Sequence, residues 1–265
     1  DTTIIKRASG SMGFRIVRIS SDDSLNIGFE LLGFAYGKAP DGNDEMHAGG
    51  CGGGICCEDS IHDIRLTSCI VSHNTAGAGH DENGIGGHGG GIFSASKLNL
   101  VNCRINNNMG GNGDVWYDFD NYGGYDAIGT SSGSGGGLFT TNDCRITSSI
   151  FSNNSSRNGR SIGEPGYPCN YVRGGTAGSG GACYFRSGSV HISGCRFYKN
   201  NTGHGGNASN NGATNGGTAG KGGAIYAFQT ELTIDSSEFR ENSTGHGGEA
   251  DSWGEPAASK NGGHG

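Results

Sequence analysis

Four histidines of this 265-residue chain stand between glycines, as Gly-His-Gly, at His88, His204, His246 and His264. Imidazole is the side chain best suited to moving a proton or holding a metal near neutral pH. Glycoside cleavage by such a site would also need carboxylates clustered as acid and base. The one Asp-Asp pair is Asp22-Asp23, which lies in no matching motif. His204 and His246 each fall four residues past a recurring Asn, so they are equivalent positions of a repeat. Repetition points to a structural stack, or to a histidine ladder able to take a metal, rather than to a catalytic centre. The sequence calls for no cofactor and no dedicated metal site.

Other reactive side chains read the same way. Acidic loops hold Asp41, Asp44 and Glu45, then Asp114, Asp118, Asp120 and Asp126. Asp118-x-Asp120-x-Tyr122-Gly123 follows a calcium loop only in part, since Tyr122 takes a ligand position and no Glu closes it. The same loop carries Trp116, Tyr117, Phe119, Tyr122 and Tyr125. So many aromatics in one loop mean packing over the fold or a contact surface, and this is the expected contact loop for a partner or glycan. Nine cysteines include no CxxC pair, which argues against structural zinc. Cys69 and Cys103 hold equivalent repeat positions, so they are a candidate disulfide, with two buried thiols as the alternative. Sequons begin at Asn153, Asn154, Asn200, Asn207 and Asn242. Three of them are repeat positions expected to be buried, and Asn207, which lies in a loop, is the candidate glycan acceptor.

The elements that position these residues come from a repeat. A Gly-Gly-small-apolar block recurs at Gly52–Ile55, Gly89–Ile92, Gly135–Leu138, Gly180–Cys183 and Gly222–Ile225. Apolar-x-x-Asn follows each block, ending at Asn74, Asn108, Asn154, Asn200 and Asn242. The gap between the two apolar anchors is nearly constant, at 16, 13, 13, 14 and 14 residues. Between them apolar residues alternate with polar ones, as in Leu232, Ile234 and Phe239. That is a strand period. Three short strands recurring at fixed offsets predict an all-β chain, a parallel β-helix in which like strands stack. The N-terminal segment reads as one more coil through Phe14–Ile19, Leu25, Ile27, Leu31 and Phe34, with Gly37 in the Asn place. About six coils result. A single domain is expected over 1–265, with an N-terminal coil at 1–48, five repeats at 49–245 and the start of a further coil at 246–265. Each recurring Asn is expected at a corner, tolerating left-handed backbone and building a side-chain ladder from coil to coil.

Glycine supplies 55 residues, and it keeps phase. Gly87, Gly133, Gly178 and Gly220 each stand five residues before an apolar anchor. Further glycines lie at intervals of three. Such a period suits polyproline-II packing, where only Gly fits a crowded face. The long loops are therefore expected to run out and back as polyproline-II-like legs, stacked as a second layer on one side.

These two motifs, glycine block and F-x-x-N, resemble the repeats of polymorphic outer-membrane proteins and related autotransporter-type surface proteins, over about residues 50 to 245. The resemblance implies a right-handed parallel β-helix, a pectin-lyase-like solenoid, displayed outside the cell and often adhesive. Composition sets limits of its own. Net charge is −7, and Lys and Arg form no stripe, which argues against a nucleic-acid partner. No apolar run is long enough to span a bilayer. A non-enzymatic extracellular or cell-surface module is the favoured function, structural or adhesive, either self-associating into a filament or forming part of a longer surface protein. Its expected partners are its own copies, stacked end to end through open strand edges, or surface glycans. A carbohydrate-active enzyme, lyase or hydrolase, is the alternative. It would need an acidic cluster on one strand face, which the sequence does not assemble.

Overall fold

The computed structural model describes residues 3–7, 14–81, 84–119, 125–163, 169–210, 213–252 and 260–261. Among them are strands, turns and loops but no helix. The chain visits three parallel sheets in a fixed order, six times over. Sheet 1 stacks Val17–Ile19, Ile55–Cys57, Ile92–Ser94, Leu138–Thr140, Cys183–Phe185 and Ile225–Ala227. Sheet 2 stacks Asn26–Glu30, Asp63–Thr67, Lys97–Val101, Cys144–Thr147, Ser189–Ser193 and Glu231–Asp235. Sheet 3 stacks Leu32–Ala35, Ile70–Ser72, Arg104–Asn106, Ile150–Ser152, Arg196–Tyr198 and Glu238–Arg240, and one further strand, Thr3–Lys6, precedes them. The architecture is all-β, parallel-stranded and repetitive, as a β-solenoid requires.

Strands of three to five residues have little stability alone. Their stability comes from register. Ile105 pairs with Val71 on one side and Phe151 on the other, and Leu100 lies between Leu66 and Ile146. Each inward residue therefore meets an apolar equivalent one round away. The resulting core runs from Phe34 through Leu66, Leu100, Ile146, Ile192 and Phe197. Full burial of each such side chain contributes roughly 1.5–3 kcal/mol. Phe151, Phe197 and Phe239 form a stack with centroids 5.0 and 4.8 Å apart. This spacing matches the separation of paired strands.

Left-handed corners close the rounds, two in the first and three in each later one, with φ between 46° and 67°. One column is Leu31, Ser68, Asn102, Ser148, Gly194 and Ser236. Another is Tyr36, His73, Asn107, Asn153, Lys199 and Glu241. The third is glycine throughout, and a Cβ on Gly89 or Gly135 would strike the carbonyl of Ile92 or Leu138. The recurring Asn is therefore not itself the left-handed residue. That strain falls on the residue before it, whose side chain points to solvent, and the Asn is left free to turn inward. Leu31 departs from the expected core for the same reason: it occupies a corner and is 52% exposed.

The glycine loops form an ordered layer. Gly77 donates its N–H to Gly50, Gly87 to Gly77, Gly111 to Gly87 and Gly133 to Gly111. Outgoing and returning legs thus alternate, each bonded to the next. A second such ladder runs through Arg160, Gly175, Gly206, Gly217 and Gly248. The legs lead to strands that sequence reasoning missed. Val115–Phe119 and Tyr125–Gly129 form an antiparallel hairpin, and Cys169–Arg173, Ala213–Asn215 and Lys260–Asn261 extend its sheet in parallel. Ala208–Asn210 and Ala250–Ser252 pair beside it. Ala127, Ile162, Cys169, Val172 and Ala208 give these tips a small core of their own.

Candidate functional site

The recurring Asn residues make a continuous ladder. Asn108 donates its backbone N–H to Oδ1 of Asn154 at 3.1 Å and Nδ2 to the same oxygen at 3.0 Å. The same Nδ2 also donates to the Val71 carbonyl at 2.9 Å. Asn74, Asn154 and Asn200 repeat this pattern. Gly37 N–H joins at one end, donating to Asn74 Oδ1, and Asn242 stands at the other. Asn74, Asn108, Asn154 and Asn200 are fully buried, while Asn242 is half-buried. Only a primary amide offers this donor and acceptor set on so short a stem.

A second ladder occupies the corner between sheets 2 and 3. Cys103 N–H donates to Ser149 Oγ, Ser149 N–H to Cys195 Sγ and Cys195 N–H to Ser237 Oγ. Each hydroxyl or thiol then donates to the carbonyl two residues earlier in its own strand. Ser and Cys exchange freely here because the slot needs one weak donor that also accepts. Cys69 and Cys103 stack in it, buried, and both are free thiols. Hydrogen bonding between them pulls the Cys69 thiol down and pushes that of Cys103 up.

The phase-keeping glycines sit where no side chain fits. A Cβ on Gly133 would fall on the Gly87 carbonyl oxygen. One on Gly178 would meet the Gly133 oxygen, one on Gly220 the Gly178 oxygen and one on Gly87 the Gly50 oxygen. The crowding partner is thus the matching leg one round away.

The histidines divide. His204 and His246 are exposed, their rings tilted 32° to each other with centroids 5.2 Å apart, and the His246 backbone N–H donates to Nδ1 of His204. His88 lies on Phe139 at 4.5 Å and accepts the Ser134 N–H. Burial holds its imidazole well below the ordinary range, at about 4, helped by the nearby charge of Arg186. His264 lies outside the described residues, as do Asp120 and Tyr122. The aromatic-rich loop is the tip hairpin: Trp116 is half-buried and Tyr117 exposed, with Phe119 and Tyr125 at the strand ends. Asn207 is exposed, and its Oδ1 accepts the Glu249 N–H.

Two clusters escaped sequence reasoning. Loop ends bring Asp44 and Asp81 to Nε2 of His80, at 3.0 and 3.1 Å. These three donors have the chemistry to ligate a divalent cation. They come from segments 36 residues apart, so nothing in local spacing announces them. The other cluster is a hollow of about 250 Å³ on the outer face of sheet 2, lined by Lys97, Asn99, Asp143, Arg145, Ser189 and His191. Outward polar residues at alternate strand positions look like ordinary solvated surface in a sequence. Stacking alone gathers them.

Comparison with protein-family models, with curated proteins and with solved structures finds no match for this chain.

Proposed function

We propose that the chain is a right-handed parallel β-helix of the pectin-lyase-like solenoid type, its glycine legs in polyproline-II conformation. In this reading it serves as an extracellular or cell-surface structural and adhesive module whose copies stack end to end. What supports the stacking is the character of the first and last rounds among the described residues. Ile4, Ile5, Phe14 and Leu25 are exposed in the first round, and Phe228, Ile234 and Phe239 in the last. Isolated apolar side chains on a surface need no explanation, but gathered patches mark contact sites. The charges of the two ends are opposite. Residues 3–38 carry Lys6, Arg7, Arg15, Arg18 and Lys38 against Asp22, Asp23 and Glu30, five minus three. Residues 221–252 carry Lys221 and Arg240 against Glu231, Asp235, Glu238, Glu241, Glu249 and Asp251, two minus six. Opposite charge steers two copies head to tail and disfavours head-to-head contact.

The side-chain ladders support a structural role, because they spend the repeated polar residues on holding rounds together. The test is sedimentation and negative-stain imaging across a salt series. Linear particles at low salt, shortened by Phe239→Asp and dispersed by salt, are expected. A monomer at every ionic strength and concentration would overturn the stacking.

A further inference from the structure

We propose that the outer face of sheet 2 is a contact surface for an acidic, carboxylate- or sulfate-bearing polysaccharide laid across successive rounds. This names a partner for the adhesive side of the reading above and rests on it. Arg65, Asn99, Arg145 and His191 are Cα partners on four consecutive strands of the sheet. Each offers hydrogen-bond donors, and the rounds repeat them at about the 4.8 Å strand spacing. A polymer running along the stack thus meets a donor at four successive rounds, where a small anion would meet one or two. Lys97 stands beside this column, as the Cα partner of Asp63.

The hollow lies at the middle of the column. Lys97 and Arg145 are exposed there and enter no ion pair among the described residues. Six other cations are ion-paired among the described residues, among them Arg18 with Glu58 at 3.1 Å, Lys38 with Asp41 and Lys199 with Glu241. The carboxylate of the hollow, Asp143, already accepts the Ser189 N–H at 3.0 Å. His191 leans on Asp235 at 3.4 Å, and Asn99 donates to Asp63. Two uncommitted cations therefore share a polar hollow in a chain of net charge −7. An Arg guanidinium binds a carboxylate or sulfate through two parallel bonds.

The neighbours set the class of polymer. Asp63, Asp143 and Asp235 flank the cations and would repel the closely spaced phosphates of a nucleic acid. A sugar chain carries sparser charge and many hydroxyls, which those carboxylates, Ser189 and Asn99 can bond. All strands inside the sheet are already paired, so an added peptide strand finds no backbone partner on this face.

Affinity electrophoresis of the full chain tests this, in gels holding polygalacturonate, dextran sulfate or neutral dextran. Retardation by either acidic polymer and not by dextran is expected, and the polymer that retards tells carboxylate from sulfate. Lys97→Gln with Arg145→Gln should weaken retention about tenfold. Arg145→Lys should weaken it in part, because the planar fork is lost. Arg196→Gln, on sheet 3, should leave it unchanged. No retardation, equal retardation in dextran, equal retention of single-stranded DNA, or an unchanged double variant each overturns the proposal. Should the double variant fail to fold, Arg145→Lys decides alone, and unchanged retention again overturns it. Particle size does not enter this measurement, so glycan contact can fail while end-to-end stacking holds, and the reverse.

Discussion

Ser134 donates its backbone N–H to Nδ1 of His88 at 3.0 Å, tying the returning legs of two neighbouring rounds together through an imidazole. Nδ1 can accept only while it carries no proton. The ring also lies flat on Phe139, so an imidazolium here would lose a bond and sit against apolar surface.

Acid should therefore loosen this contact. In the folded chain His88 titrates at about 4, against 6.5 for an imidazole in water. The unfolded chain takes up the proton first as pH falls. The stabilisation is complete above about 6.5, declines as pH drops from there towards 4, and is spent below. A shift of this size corresponds to at most about 3 kcal/mol, reduced by solvent at the partly exposed ring. Melting curves from pH 7 to 4 should show a steeper decline for the native chain than for His88→Asn. Parallel declines would remove His88 as the cause.

Asn108→Ala should be among the most destabilising single changes. It leaves the N–H and Nδ2 of buried Asn74 without their acceptor and the Val71 carbonyl without its donor. A cost of about 3 kcal/mol is expected. Asn242→Ala, at the half-buried end of the ladder, should cost clearly less. Denaturant midpoints compare the two, and equal losses would contradict the ladder.

Gly133→Ala places a methyl group on the Gly87 carbonyl oxygen, whereas a Cβ on Gly163 meets nothing within 4 Å. The first should cost about 3 kcal/mol or more. The second should lie within about 0.5 kcal/mol of the native chain. A flexible loop would tolerate both, so similar melting of the two variants would disprove an ordered glycine layer.

Ser148 occupies a left-handed corner with φ 49°, and Gly194 holds the same corner one round later. Ser148→Gly relieves that strain, partly offset by the greater freedom of glycine in the unfolded chain. A gain of about 0.5 kcal/mol is expected from thermal melts, and a loss would show that the corner is not strained.

The repeat was legible because its two motifs mark the places with least tolerance. Gly89 and Gly135 stand where a Cβ meets backbone, and Phe151 and Asn154 stand where every neighbour is a copy. The glycine phase was legible for the same steric reason. The tip strands were not. Ala208–Asn210 and Ala213–Asn215 are three residues long, made of Ala, Ser, Thr and Asn, and show no apolar alternation. Their pairing comes from stacking on Ile162 and on Cys169–Arg173, and local sequence does not encode that. The hollow on sheet 2 was hidden likewise. Lys97 and Arg145 are ordinary outward strand residues until two rounds are laid side by side.

The alternation of outgoing and returning glycine legs restricts how such a chain can change length. One residue inserted into a leg would move every later glycine of that leg out of phase and set side chains against carbonyl oxygens on the neighbouring rounds. The tips carry no such condition. Successive Asn positions already differ by 34, 46, 46 and 42 residues, while the strand-bearing part of each round barely varies. Insertions and deletions are thereby confined to one edge of the molecule, where whole hairpins can be added without disturbing a single rung.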